Sequence, residues 1–208
     1  MKLRENMKVI KTVQKIMLII GLFGLLAFSA IAQPKLAVLE FGNKANSQYL
    51  SKGGAEQIQD VFITELIGTK KFKVIDRESL EEILQERNVT LSGELNEANA
   101  IKIGKLLGVN YLLTGTVVKY GAESLDGKPN GGLTAGKRKF VATFKTQLIN
   151  TSTGKAVWSR EESGETTSIK VSVGGFGGGV DENRMFDSVM KPTIQKAIAN
   201  LKAADLKF

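Results

Sequence analysis

Residues 72–86 read FKVIDRESLEEILQE, and this stretch decides the fold class. Its first part, 72–76, is rich in strand-forming residues, whereas the second part carries apolar residues such as Leu80 and Leu84 at the spacing of a helix. Asp76 stands between the two parts, where its side-chain oxygen can cap the first turn of the helix. A strand that passes directly into a helix predicts a sheet covered by helices.

The sequence before this stretch shows the same alternation. Residues 35–41 (KLAVLEF) predict a strand that ends at Gly42. The spacing of Ile58, Phe62 and Leu66 then predicts an amphipathic helix. The part of the chain from residue 35 onward is therefore expected to begin β-α-β-α.

The sequence after this stretch predicts one helix and three strands. Asn96 is a candidate N-cap and Gly108 a candidate left-handed C-cap of a third helix. Residues 109–120 predict a strand, and residues 138–149 alternate between apolar and polar as a half-buried antiparallel strand does. Residues 155–160 (KAVWSR) begin the return strand after a turn.

Two glycine-rich segments, 121–137 and 161–180, are predicted to be long exposed loops. From Asp181 onward the apolar spacing is helical, and Pro192 is expected to kink this helix or to begin a new one. The predicted order is β-α-β-α-α-β-β-β-α. This order indicates an α/β fold of the α+β type, with a mixed sheet of about five strands and helices packed on it.

Composition excludes much catalytic chemistry, because the chain contains no cysteine and no histidine. Without cysteine there is no disulfide, no thiolate nucleophile and no Cys-ligated metal site. Without histidine the commonest general base and the commonest transition-metal ligand are missing, and a Ser-His-Asp triad is impossible. The sequence therefore predicts no metal and no cofactor.

The formal net charge of +8 does not indicate nucleic-acid binding once the charges are located. Half of it lies in residues 1–15, where five Lys or Arg residues face the single acid Glu5. The remainder of the chain interleaves both signs, as a solvated surface does. No RNA-binding motif or basic helix is present, so we expect no nucleic-acid partner.

Three motifs resemble ligand-binding or catalytic sites, but each is better explained as a structural element. Residues 131–138 (GGLTAGKR) resemble a phosphate-binding loop but end in Arg138 instead of Ser or Thr, and they lead into a predicted strand. Residues 174–179 (GGFGGG) lack the final glycine of a dinucleotide fingerprint. The acids that begin the second helix complement its positive N-terminus; they are Asp76, Glu78, Glu81 and Glu82. The sequence therefore predicts no catalytic residue, and the chain is expected not to be an enzyme.

The N-terminus has the three parts of a secretory signal peptide. Residues 1–15 are basic, residues 16–28 (IMLIIGLFGLLAF) are an uninterrupted apolar run, and residues 30–32 (AIA) form an A-x-A cleavage site. We therefore predict a signal peptide at 1–32 and a single domain at 33–208. The alternative is an uncleaved anchor, although the apolar run is shorter than the roughly 20 residues that span a bilayer.

Four segments of the predicted domain resemble the CsgG family of curli production and transport proteins. Residues 35–41 resemble its first strand, and residues 72–86 resemble its strand-to-helix run. Residues 100–116 (AIKIGKLLGVNYLLTGT) and 150–159 (NTSTGKAVWS) resemble its helix-plus-strand segment and its T-G hairpin. The match covers most of residues 35–200 in the correct order.

The resemblance implies a non-enzymatic periplasmic domain that acts by protein–protein interaction in envelope assembly or curli-type secretion. In the curli transporter, identical subunits form a ring, and each lends two β-hairpins to a channel in the outer membrane. Other relatives are LpoB-like activators of peptidoglycan synthases. The implied partners are envelope proteins, with self-association into a ring and peripheral outer-membrane association as further expectations. The implied location is the periplasm or outer-membrane periphery of a Gram-negative bacterium.

The sequence departs from the transporter in the features that would contact lipid. It has no lipidated cysteine, and its candidate hairpins, 121–137 and 161–180, are polar and rich in glycine. A membrane strand needs about 9–11 residues with an apolar outward face. We therefore expect a CsgG-like, water-soluble domain in which these two segments are loops.

The signal-peptide prediction specifies the N-terminus of the exported protein. Mass spectrometry of the chain purified from the cell envelope is expected to find Gln33 as the first residue, because the A-x-A site ends at position 32. Retention of the apolar run in the exported protein would instead establish the anchor.

Overall fold

The structure, a computed structural model, describes residues 33–89, 95–125, 133–173 and 182–206. Within them the strands are β1 (Lys35–Val38), β2 (Gly42–Asn43), β3 (Lys73–Val74), β4 (Tyr111–Leu125), β5 (Leu133–Asn150) and β6 (Ala156–Val173). The helices are α1 (Gly54–Thr69), α2 (Arg77–Glu86), α3 (Glu97–Leu107), the short α4 (Glu182–Met185) and α5 (Lys191–Ala203). A 3₁₀ turn lies at Leu50–Lys52, and a π-helical stretch at Phe186–Met190 joins α4 to α5.

In the described residues the strands form one mixed sheet in the order β3-β1-β4-β5-β6, and β2 also pairs with β4. β1 is parallel to β3 and to β4, whereas β4, β5 and β6 are successive antiparallel neighbours. The parallel half of the sheet therefore meets the antiparallel half at β4. This arrangement confirms the predicted mixed sheet and α+β fold, with the two-residue β2 as an additional strand.

Helices cover both faces of the parallel half. Leu36 and Val38 belong to the larger core, under α1 and α5, whereas Ala37 and Leu39 belong to a smaller core under α2 and α3. All four side chains are buried. Burial on both faces explains why the sequence of β1 is a continuous apolar run instead of an alternating one.

A close approach at Gly115 connects the two halves of the sheet. A Cβ atom at this position would collide with the Phe41 ring and would lie 2.5 Å from the Lys145 carbonyl oxygen. The Phe41 ring stacks on Phe62 at 4.7 Å between centroids and meets Phe144 edge-on at 6.3 Å. Glycine is therefore the residue that lets these aromatic rings reach the backbone of β4.

The predicted helix boundaries are confirmed. The Asp76 carboxylate accepts the Ser79 amide at 2.8 Å, and the Asn96 side chain accepts the Asn99 amide at 2.8 Å. Gly108 has φ of 62°, in the left-handed region that ends many helices. Pro192 lies in the first turn of α5. Of the two outcomes expected for this residue, a kinked helix or a new helix, the structure shows the second.

The prediction of two long loops is wrong over most of their length. Residues 121–125 belong to β4, residues 133–137 to β5 and residues 161–173 to β6. The register pairs β4 with β5 as far as Leu125↔Lys137, and β5 with β6 as far as Leu133↔Val173. Cross-strand hydrogen bonding has overridden the low strand propensity of glycine and charged residues. The rest of the two predicted loops, 126–132 and 174–180, lies outside the described residues.

A buried carboxylate fastens α5 to β6. The Glu162 side chain is only 6% exposed, and its Oε2 lies 2.8 Å from the Lys196 ammonium group. Its Oε1 accepts a hydrogen bond from the Asn200 amide. Burial of a carboxylate is costly unless it is paired, and here two side chains of one helix pair it.

Gly164 allows the same helix to approach the strand. A Cβ atom at Gly164 would collide with the Thr193 hydroxyl and would lie 3.2 Å from the Val189 carbonyl oxygen. The Thr193 hydroxyl donates back to that carbonyl within the helix. The glycine that suggested a loop in the sequence is therefore a helix-packing position in a strand.

Replacing Gly115 with alanine is expected to destabilise the fold by about 1–3 kcal/mol, because the new methyl group meets a ring and a backbone oxygen. The matched control is Gly68→Ala in α1, where no atom lies within 4 Å and a gain of up to about 1 kcal/mol is expected. Urea denaturation of both variants measures the difference. Equal stability of Gly115→Ala and the unmodified protein would contradict the close approach.

Glu162→Ala is expected to lower the free energy of unfolding by about 1–3 kcal/mol, because it leaves the Asn200 amide without its partner. The neighbouring Glu161 pairs with Lys145 at 3.3 Å on an exposed surface, and Glu161→Ala is expected to change stability by only about 0.5 kcal/mol. Thermal or urea unfolding compares the two. A larger loss of stability in Glu161→Ala than in Glu162→Ala would disprove that the buried Glu162 carboxylate fastens α5 to β6.

Candidate interaction surface

The antiparallel strands extend well beyond the parallel half of the sheet. β4, β5 and β6 are 15, 18 and 18 residues long. The last pair between β2 and β4 is Asn43↔Val117, and in the described residues β4 pairs beyond this point with β5 alone. The far part of these three strands, here called the ribbon (residues 123–125, 133–139 and 167–173), lies beyond Phe140, which is buried in the larger core.

One long edge of the sheet is unpaired in the part of the chain that the structure describes. β6 is the last strand in the sheet order and pairs only with β5. Several of its side chains are exposed, including Val157 (46%), Ser159 and Arg160. An edge strand presents unpaired backbone donors and acceptors that can bind another strand.

Polar side chains cover the face of β5 and β6 that lies opposite α5. Lys139 pairs with Glu165 at 2.5 Å, and the Thr143 and Ser163 hydroxyl groups lie 2.9 Å apart. The hydrogen bond to Glu165 raises the pKa of Lys139 above its usual value. Exposed pairs of this kind add little stability, but alternating charges restrict which strands can add to the edge.

Two of the acidic residues at the start of α2, Asp76 and Glu81, have structural partners. Hydrogen bonds from the Ser79 amide and hydroxyl lower the pKa of Asp76. The Arg77 guanidinium contacts Asp60 at 2.9 Å and Glu81 at 3.1 Å, and its hydrogen bond to Asp60 raises its pKa. These contacts support the interpretation of the acids as a helix start.

The structure describes only part of the two glycine-rich motifs, 131–138 and 174–179. Residues 133–138 of the phosphate-loop-like segment lie in β5, and 174–179 lie outside the described residues. Among the described residues there is no group of three or more acids that could hold a metal ion. Nor does any described helix have the length and apolar character needed to cross a membrane.

Sequence reasoning missed β6 beyond residue 160, although a signal was present. Residues 166–173 (TTSIKVSV) are rich in β-branched residues, which favour strands. The two acids Glu161 and Glu162 and the adjacent Gly164 obscured this signal. The presence of Glu162 and Gly164 in a strand is explained only by the tertiary structure, because both residues contact α5.

Known proteins share this fold. Lipoprotein GNA1162 from Neisseria meningitidis superimposes with a TM-score of 0.51 at 15% identity, over 80% of this chain and 99% of that one. A hypothetical protein, CT253 from Chlamydia trachomatis, superimposes with a TM-score of 0.50 at 10% identity, over 82% of this chain and 96% of that one. At these identities the likeness shows the fold alone.

Sequence comparison gives the family. A predicted lipoprotein of Neisseria meningitidis serogroup B is 28% identical over 152 residues, which are 71% of this chain and 63% of the relative. The chain thus spans less than two thirds of that relative's length. The model of the family described as curli production assembly/transport component CsgG matches residues 26–204, which include every strand of the sheet and confirm the resemblance found in the four sequence segments. This chain belongs to the CsgG family.

Proposed function

We propose that this chain is a non-enzymatic component of the cell envelope that acts through protein–protein contacts, including contacts between copies of itself. Membership of the CsgG family and the likeness to a lipoprotein support an envelope location. The predicted signal peptide at 1–32 supports export. The absence of histidine and cysteine from the whole sequence supports a role without nucleophilic or metal catalysis.

The observation that carries this proposal is the open edge of β6. It is 18 residues long, and in the described residues it hydrogen-bonds to β5 on one side only. Folded proteins usually keep edge strands short or covered, because an open edge recruits other strands. A long open edge held rigidly by α5 is therefore suited to binding a strand of a partner or of a second copy.

A second candidate function is that of a subunit of an oligomeric outer-membrane secretion channel. The observation that favours it is that segments 121–125, 133–137 and 161–173 are paired strands and not loops. The glycines and charges in these segments argue against contact with lipid. The third alternative, activation of a peptidoglycan synthase, has no feature of the described residues that favours it.

Two proline variants test the edge. Consecutive residues of a strand direct their N–H groups to opposite edges, so one of Ser159→Pro and Arg160→Pro removes an N–H from the β5 ladder and the other removes one from the open edge. The open-edge variant is expected to keep its unfolding temperature and to weaken self-association by at least about tenfold. Light scattering across a concentration series measures the association.

The pair of variants provides its own control, because both residues are exposed and adjacent.

Purification with and without detergent separates the two candidate functions. Assembly in water that the open-edge variant loses supports the proposal, whereas a ring that forms only in detergent supports the channel. A monomer under both conditions that binds no envelope protein would refute both.

A further inference from the structure

Backbone hydrogen bonds bring several lysines together at one end of the sheet. This is the end where β1, β3 and β4 begin and where β5 turns into β6. Backbone hydrogen bonds connect neighbouring segments at this end, from β3 through β1 and β4 to the turn between β5 and β6. The donor–acceptor pairs are Lys73–Pro34 (3.0 Å), Asn110–Lys35 (2.9 Å), Thr151–Asn110 (3.0 Å) and Asn150–Lys155 (2.9 Å). Lys73, Lys35 and Lys155 therefore follow one another along this end.

Three more lysines join them where two helices end. Lys70 is the C-cap residue of α1, and its carbonyl accepts the Gln33 side-chain amide at 2.6 Å. The Lys71 ammonium group donates to the carbonyl of Lys202, which lies in the last turn of α5. The basic end is defined by these six residues, Lys35, Lys70, Lys71, Lys73, Lys155 and Lys202.

The lysines of the basic end lack ion-pair partners in the described part of the chain. Five of the six lysines are exposed and Lys71 is half-buried. None of them forms an ion pair with a described carboxylate. The ion pairs of the described residues lie elsewhere, at Arg77, Lys139, Lys145, Arg160 and Lys196.

Helix-end electrostatics explain only part of this cluster. Cations near a helix C-terminus are favourable, which accounts for Lys70, Lys71 and Lys202. Lys35 and Lys73, however, are register partners in β1 and β3, and Lys155 lies in the turn before β6. Like charges opposite each other on adjacent strands cost stability, so packing within the fold does not explain these lysines.

We propose that the basic end binds the surface of a membrane that contains anionic phospholipid. The Gln33 side-chain amide donates to the Lys70 carbonyl at this end, and in the sequence Gln33 directly follows the predicted signal peptide with its apolar run at 16–28. All six cations are lysine. Each exposed cation near an anionic membrane surface adds to the attraction, and a lysine ammonium group on its flexible stem acts there as a mobile point charge.

This inference rests on the proposed envelope location and deepens it by naming a membrane-facing surface. In this arrangement the open edge of β6 and the ribbon remain available, because both extend away from the basic end. Lipid binding and protein binding then use separate parts of the domain.

Vesicle sedimentation tests the proposal with the exported chain in the form that the cell produces. The variant is Lys35→Gln/Lys70→Gln/Lys73→Gln, which leaves the Lys71 contact intact. The control is Lys44→Gln/Lys102→Gln/Lys191→Gln, which removes the same charge from exposed positions outside the basic end. On phosphatidylglycerol-containing vesicles at low salt, the first variant is expected to bind roughly 100-fold more weakly and the control less than about tenfold more weakly.

Two further results are expected if the proposal holds: binding falls as salt is raised, and the difference between the variants vanishes on phosphatidylcholine vesicles. Any contribution of a retained leader is equal in both variants. Equal loss of binding in the two variants, or no loss in either, would overturn the proposal.

The outcome is distinguishable from that of the edge experiment. If the lysine variant binds anionic vesicles normally while the proline variant loses association, the membrane surface is refuted and the proposed function stands. If the lysine variant loses vesicle binding while the proline variants associate normally, the proposed role of the edge fails instead.

Discussion

The packing of Phe41 against Gly115 is the contact on which the rest of the structure depends. It places an aromatic ring directly over the backbone of β4, the strand shared by the parallel and antiparallel halves. Phe62 from α1 and Phe144 from β5 complete the cluster, with ring centroids 5.7 Å apart. One cluster thus connects the segment after β1, the longest helix and the start of the antiparallel strands, so that they form a single core.

The C-terminal helix α5 stabilises the antiparallel half of the sheet. Glu162 and Gly164 on β6 receive Lys196, Asn200 and Thr193 of α5. This contact holds an edge strand in place from one face without covering its edge. The combination of a rigid strand and open backbone groups suits β6 to the proposed binding of another strand.

The proposed lipid and protein surfaces lie at different parts of the same strands. β4 starts at Tyr111 beside the basic end and continues for 15 residues, a span of roughly 50 Å. A domain that rests on a membrane by its basic end would carry the ribbon away from the headgroups. The charges of the ribbon fit an aqueous position better than a lipid one.

By itself, the sequence determined the helices, their caps and the alternation of strands and helices, because these depend on local periodicity and on single residues such as Asp76, Asn96 and Gly108. It also determined the family, through four ordered segments. Only the tertiary structure decided the length of β4, β5 and β6. Gly164 and Glu162 look like loop residues until α5 packs on them, and strands rich in charge and glycine form where hydrogen bonds to a neighbouring strand and contacts with a helix outweigh propensity.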